Sequence, residues 1–251
     1  LIQDATWCMQ PIWLRTNGTK QALLRASISR VIPSFKASSL GNAVYVSGDG
    51  ILHKVDSFPE AAIGPVTWIW ASKPLIGNEL SGRFLYFFVH PSTQQEAMRC
   101  IKAVLSESDV GLEGPFSGVD GGVACFRLRG LNVQKCLEAG VSSSSNDDPC
   151  TSTILIDAEN DRHVLLSVTT HSYQETLVLR PSRPRDPKQS PNVGSCGYDV
   201  YCNPNIAKSL FHALVFRGGA CPIGITEHAS ISLECDPPVP VFPRDYPDTA
   251  Q

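Results

Sequence analysis

Few of the chain's reactive residues are spaced for catalysis. The nearest thing to a thiol nucleophile is Gly194-Ser195-Cys196-Gly197-Tyr198, with His212 and His228 downstream as candidate bases. A cysteine nucleophile needs a depressed pKa and a base held against it. The same five residues also read as a small apolar residue entering a strand. Cys196, Cys202, Cys221 and Cys235 are separated by 5, 18 and 13 residues. That spacing lacks the paired C-x-x-C knuckles of a structural zinc site, so four separately packed thiols are expected. His90, just before Pro91, is expected to orient its turn by a backbone hydrogen bond. Asp120, Asp147 and Asp148 fall in loop-like sequence and form no carboxylate dyad. The sequence contains no G-x-S-x-G elbow, P-loop, G-x-G-x-x-G dinucleotide turn or H-E-x-x-H zinc helix. The expectation is a chain with no catalytic and no metal-binding residue.

Positive charge is the more informative chemistry. Residues 1–40 hold Arg15, Lys20, Arg25, Arg30 and Lys36 against one acid, Asp4, but steps of five from Lys20 to Arg30 spread the charges around a helix. Arg127 and Arg129 alternate with Phe126 and Leu128, which puts both arginines on the polar face of an extended segment. Arg180, Arg183, Arg185 and Lys188 crowd the Pro-rich stretch Arg180–Asn192, which carries one acid, Asp186. Groups of this kind suit phosphate contacts, which position a nucleic acid without reading its sequence. Trp7, Trp13, Tyr86 and Tyr198 could stack on unpaired bases, although their strand-like settings favour the core.

Positioning of Arg127 and Arg129 falls to Ala124–Gly140, ACFRLRGLNVQKCLEAG, read as strand, tight turn at Gly130 and short helix ending at Gly140. Pro11–Ile32 and Arg83–Leu105 repeat this grammar. In the latter, Ser92 and Gln95 are placed for a capping box, and Ala97, Ile101, Val104 and Leu105 form an apolar stripe. Asn42–Ser47 and Ile51–Val55 flank Gly48-Asp49-Gly50 and read as a hairpin. Ile63–Trp70 reads as a strand buried on both faces, with Pro65 able to open it but not to sit at its centre. Glu107–Gly122 reads as a Gly-rich connector. Further on, His163–Thr169, Thr176–Leu179 and Cys196–Cys202 read as strands, and Pro204–Phe211 as a short helix. Ala213–Arg217 with Ala220–Glu227 reads as a hairpin, and the tail from Asp236 as polyproline-like. Three β-turn-α units with hairpins between them predict an α+β fold, helices covering a largely antiparallel sheet.

At 251 residues, 42% hydrophobic and 18% charged, the chain can bury a sizeable core. A formal charge of −3 excludes a surface coated in positive charge, so any nucleic-acid site must be local. Nine cysteines without close pairing and the lack of an apolar run near 18 residues point to reduced thiols and no membrane span. Starting at Leu1 without Met, the sequence reads as part of something longer.

Five blocks in order carry a resemblance: LIQDATWCMQPIWL, LHKVDSFPEAAIGPVTWIW, RFLYFFVHPSTQQEAMRCI, FRLRGLNVQKCL and CGYDVYCNPNIAKSLFHALVFRGGACPIGITE. Together they resemble the Pop-family scaffold, the largest protein subunit of eukaryotic nuclear ribonuclease P and RNase MRP. The last block is similar to its POPLD module. The resemblance implies a fold similar to the folate-binding, aminomethyltransferase-like proteins. It also implies a structured ribonuclease P/MRP-type RNA and other protein subunits as partners, and a place in the nucleus and nucleolus. It implies no cofactor on this chain, since the chemistry would belong to the RNA and its bound Mg²⁺. In this frame residues 1–140 are a β-turn-α scaffold domain, 141–152 a Ser-rich acidic loop or gap, 153–235 a POPLD-like part and 236–251 a Pro-rich tail. Three departures stand out. The family's basic N-terminal region is absent, Leu131 stands where the family turn has proline, and the region between Gly140 and Ile154 is short. The expected function is a non-catalytic RNA-binding scaffold in precursor-tRNA or pre-rRNA processing. The expected phosphate contacts are Arg127, Arg129, Arg180, Arg183, Arg185 and Lys188. A tetrahydrofolate-binding protein of the aminomethyltransferase type and a pure protein-interaction module are the alternatives.

Overall fold

Arg83–Val89, RFLYFFV, is apolar at nearly every position, and such a run suits a strand covered on both faces. In the computed structural model it is the middle strand of a five-stranded antiparallel sheet, and Phe84 through Val89 are all buried. The structure describes residues 1–6, 9–16, 21–35, 45–71, 82–107, 113–117, 123–141, 151–156, 164–169, 174–181 and 197–234. The elements are β1 (Ile2–Asp4), β2 (Gln10–Thr16), α1 (Gln21–Ser29), β3 (Tyr45–His53), β4 (Ala62–Ala71), β5 (Arg83–Val89), α2 (Gln94–Ser106), β6 (Glu113–Ser117), β7 (Ala124–Arg129), α3 (Val133–Val141), β8 (Thr151–Ile156), β9 (Val164–Thr169), β10 (Gln174–Pro181), β11 (Gly197–Cys202), α4 (Pro204–Phe216) and α5 (Ile225–Glu234).

Two compact units result, each with its own sheet and core. Residues 7–122 with 241–251 make one unit; residues 1–6 with 123–240 make the other. The composition break at Val141 therefore lies inside a unit, and Ala124–Gly140 packs with the strands that follow it. The first unit's sheet runs in the order β3-β4-β5-β2-β6, and α1 and α2 supply Leu24, Ile28, Ala97, Ile101 and Val104 to a core with Ile12, Leu14, Trp68, Trp70, Leu85 and Phe87. Complete burial of each Leu, Ile or Val side chain among them is worth roughly 1.5–3 kcal/mol. The second unit's sheet runs β1-β7-β11-β10-β9-β8, every pairing antiparallel. Phe126 and Leu128 of β7, Val200 and Cys202 of β11, Val133 and Leu137 of α3, and Leu210 and Leu214 of α4 form its core. The fold is α+β with antiparallel sheets, as expected.

Local expectations fail where glycine or proline was read as punctuation. Gly48-Asp49-Gly50 is no turn: β3 runs through it and pairs with β4 from Tyr45 opposite Ala71 to His53 opposite Ala62. A Cβ on Gly48 would lie 2.4 Å from Trp68 Cζ2, and one on Gly50 would lie 2.2 Å from Ser34 Oγ, so these glycines admit close neighbours. Pro65 sits within β4, opposite Ile51, but pairing with β5 begins only at Val66, where Val66 meets Val89. The Gly-rich connector contains β6, which pairs with β2. Gly140 does not end α3. A Cβ there would meet Leu214 Cδ2 at 2.9 Å, so glycine lets α4 cross closely. Ala213–Phe216 continues α4, and Ile225–Glu234 is α5, in place of the expected hairpin. Gly130, with φ +138°, makes the sharp exit from β7. His90 orients its turn as expected: its Nδ1 accepts from the Ser92 N–H at 3.3 Å. That contact takes the place of the expected capping box, since Thr93 precedes α2 without a side-chain cap.

Candidate nucleic-acid interface

Alternation along β7 decides which side chains face the helices. Ala124, Phe126 and Leu128 belong to the core under α3 and α4, which turns Cys125, Arg127 and Arg129 to the opposite face of the sheet. Register assembles a polar row across that face. Gln3 of β1 stands opposite Arg127, Arg127 opposite Asp199 of β11, and Asp199 opposite Arg180 of β10. Of the six expected phosphate contacts, the sheet thus brings Arg127, Arg129 and the backbone of Arg180 to one neighbourhood. Arg180 is a strand residue, as is Pro181, because β10 extends into the Pro-rich stretch, where the two stand opposite Asp199 and Tyr198 of β11. Arg183, Arg185 and Lys188 lie outside the described residues, as do Trp7, Cys196, Cys235 and the tail from Asp236.

Arg129 is not an open cation. Its Nη2 donates to Asp199 Oδ1 at 2.6 Å, and its Nη1 donates to the carbonyls of Leu128 at 2.9 Å and Tyr198 at 3.1 Å. The two side chains are 12% and 11% exposed. A guanidinium so held already has the anion it would otherwise seek. Nearby, His228 of α5 has its pKa lowered to about 4, mainly by burial and further by the charges of Arg127 and Arg129. It is therefore neutral at physiological pH. Gln3 is 3% exposed, and its Oε1 has no hydrogen-bond partner among the described residues. The region is thus an internally braced polar layer in which Asp199 neutralises Arg129.

On the other side of this sheet, past Gly130, a cavity of about 440 Å³ opens at the start of α3, lined in part by Asn132, Lys135, Cys136, Ala139 and Gly219. Burial pushes the Cys136 thiol up, away from the thiolate a nucleophile needs. Among the described residues no group of three or more His, Cys, Asp or Glu could hold a metal ion. Of the four thiols expected to pack separately, Cys202 is buried and Cys221 exposed, neither in a disulfide.

Arg30 is likewise committed. Its guanidinium reaches Asp56 and Glu107, each at 2.5 Å, and its hydrogen bond holds the Asp56 carboxyl below the usual carboxylate range. Tyr86 is buried in an aromatic row with Phe84 and Phe88, and Tyr198 packs against the second core, so neither is presented for base stacking. Among the described residues two aromatics are exposed: Phe58, 61% accessible and edge-on to His53, and Phe216, 80% accessible at the end of α4, with the His212 ring one turn earlier at 5.8 Å. Sequence reading missed the latter pair because the stretch was taken for a strand. Asp199 was missed because its partner lies 70 residues away.

No protein-family model matches the chain. Over 56 residues it is 36% identical to the human ribonucleases P/MRP protein subunit POP1. The similarity covers 22% of this chain and 6% of that protein's length. Among the described residues no helix is long and apolar enough to cross a membrane.

Proposed function

We propose that this chain is an RNA-binding scaffold segment of a ribonuclease P/MRP-type ribonucleoprotein, without catalytic residues of its own, serving precursor-tRNA 5′-end or pre-rRNA processing in the nucleus and nucleolus. The observation that carries the reading is the 36% identity over 56 residues to a subunit named for those particles. In this role the chain braces a structured RNA and neighbouring protein subunits, while strand cleavage belongs to the RNA and its Mg²⁺. Arg127 and Arg180, one on each side of Asp199 in the sheet register, supply phosphate contacts together with Arg183, Arg185 and Lys188. Arg129 acts from within, tying β7 to β11 through Asp199 and thereby fixing the strand that carries Arg127.

The test is to tag the full-length protein in its own cells, purify it at low and high salt, and sequence the RNA that comes with it. One abundant, structured RNA, together with precursor-tRNA cleavage that is lost on RNA digestion, is the expected result. Recovery of no discrete RNA overturns the proposal. Reversing Arg183, Arg185 and Lys188 to Glu is expected to weaken RNA retention and to lower the salt slope by about one unit for each phosphate contact removed.

A further inference from the structure

Helix α4 is built to be seen from solvent on one side. Asn203 caps it, its side chain accepting from the Asn205 N–H at 2.9 Å, and Pro204 occupies the first turn. Leu210 and Leu214 face the core. Lys208, His212 and Phe216 follow one another at intervals of four, a stripe turned away from those leucines and exposed at every position. The stripe is about 12 Å long from Lys208 to Phe216. Phe216 is the most exposed large hydrophobic side chain among the described residues, and the His212 ring meets it edge-on at 83°.

Charge says what such a stripe would take. From Asn203 to Arg217 the sequence NPNIAKSLFHALVFR holds Lys208 and Arg217 and no Asp or Glu, in a chain whose net charge is −3. An aromatic surface flanked by cations and free of carboxylates is complementary to an unpaired nucleotide, whose base has a π-face and whose phosphate is anionic. We infer that the Lys208–His212–Phe216 face of α4 is a stacking platform for single-stranded RNA, with an unpaired base on Phe216 and His212 and its phosphate on Lys208. This rests on the RNA-scaffold reading above and adds to it a second, base-stacking contact at a helix that the arginines of β7 and β10 do not belong to.

Trypsin cuts after Lys208 and Arg217, so the two stacking rings of the platform, His212 and Phe216, are released together in the single peptide Ser209–Arg217. The experiment is ultraviolet cross-linking in cells that express the tagged full-length protein, followed by purification, sequencing of the bound RNA and mass spectrometry of nucleotide-bearing peptides. Wild type is expected to carry a nucleotide on Ser209–Arg217. Phe216→Ala is expected to reduce that cross-link about five-fold or more while the RNA is still recovered, and Phe216→Trp to restore it. Phe216 is 80% exposed, so its truncation removes little buried surface, and the Trp variant separates loss of stacking from loss of folding. RNA recovered without a cross-link on this peptide, or with one unchanged in Phe216→Ala, overturns the platform and leaves the scaffold reading standing. Chemical cross-linking of Lys208 to a neighbouring protein subunit in place of RNA also overturns it. Absence of any RNA overturns both.

Discussion

Arg129 shows what a single side chain does for this sheet. Its guanidinium spends three hydrogen bonds on one carboxylate and two carbonyls, and the ion pair with Asp199 is nearly out of water. Removing one member of a buried pair strands the other, which costs about 3–5 kcal/mol, whereas replacing both by apolar residues is often close to neutral. Asp199→Ala is therefore expected to destabilise the second unit by about 3–5 kcal/mol, and Arg129→Met with Asp199→Leu to recover most of that loss. Urea denaturation checks it. Arg30→Ala is the control, because its carboxylate partners Asp56 and Glu107 are 58% exposed and well solvated. If Asp199→Ala and Arg30→Ala shift the midpoint equally, the Arg129–Asp199 pair does not brace the sheet. Sequence reading placed both arginines on the correct side of β7, because alternation is local. It could not see that Arg129 finds its carboxylate 70 residues away.

At the scale of elements, the readable ones were those whose pattern has a single explanation. RFLYFFV reads as the strand of a β-turn-α unit and is one, Ile63–Trp70 reads as a buried strand and lies within β4, and Ala97, Ile101 and Val104 form the helix stripe their spacing implies. Glycine misled because it signals two different things, a positive φ or a close neighbour. Gly48 is the second kind, with the rigid indole of Trp68 lying over it, and Trp68 is itself fixed edge-on against Phe35 at 4.9 Å. Gly→Ala ordinarily favours a strand by restricting the unfolded chain. Here a Cβ would fall 2.4 Å from Trp68 Cζ2, and the ring is 4% exposed with no room to swing. Gly48→Ala is thus expected to destabilise by about 1–3 kcal/mol, the cost of an overpacked core. Gly48→Ala paired with Trp68→Leu should be much less additive than two independent losses, measured by the same denaturation. A turn at Gly48, as the sequence suggests, would instead tolerate alanine poorly whatever residue stood at 68. Helix α4 was misread for a related reason. Ala207, Leu210, Phe211, Ala213, Leu214, Val215 and Phe216 are apolar around most of the helix, so its second half shows no stripe and passes for a strand before Gly218-Gly219.

At the scale of the molecule, and among the described residues, the two hydrophobic cores have no residue in common: one gathers around Trp68, Trp70, Leu85 and Phe87, the other around Phe126, Leu128, Val200 and Leu214. The described strand pairings of each sheet stay within one unit. A perturbation in one core should then lower the opening free energy of that unit's amides and leave the other's unchanged, since local stability follows the cooperative unit in which a residue packs. Native-state hydrogen exchange read by mass spectrometry can separate the two. Gly48→Ala is expected to speed exchange in β3, β4 and β5 while β7 and β11 keep their protection, and Asp199→Ala is expected to do the reverse. Equal loss of protection in both sheets from either substitution would mean that the chain opens as one cooperative body. The distinction bears on the scaffold reading directly. A brace whose units open separately can lose the arginine layer of β7, β10 and β11 without disturbing the aromatic sheet, so RNA retention should follow the stability of the second unit. Asp199→Ala should then weaken RNA recovery from cells more than Gly48→Ala does at equal loss of overall stability.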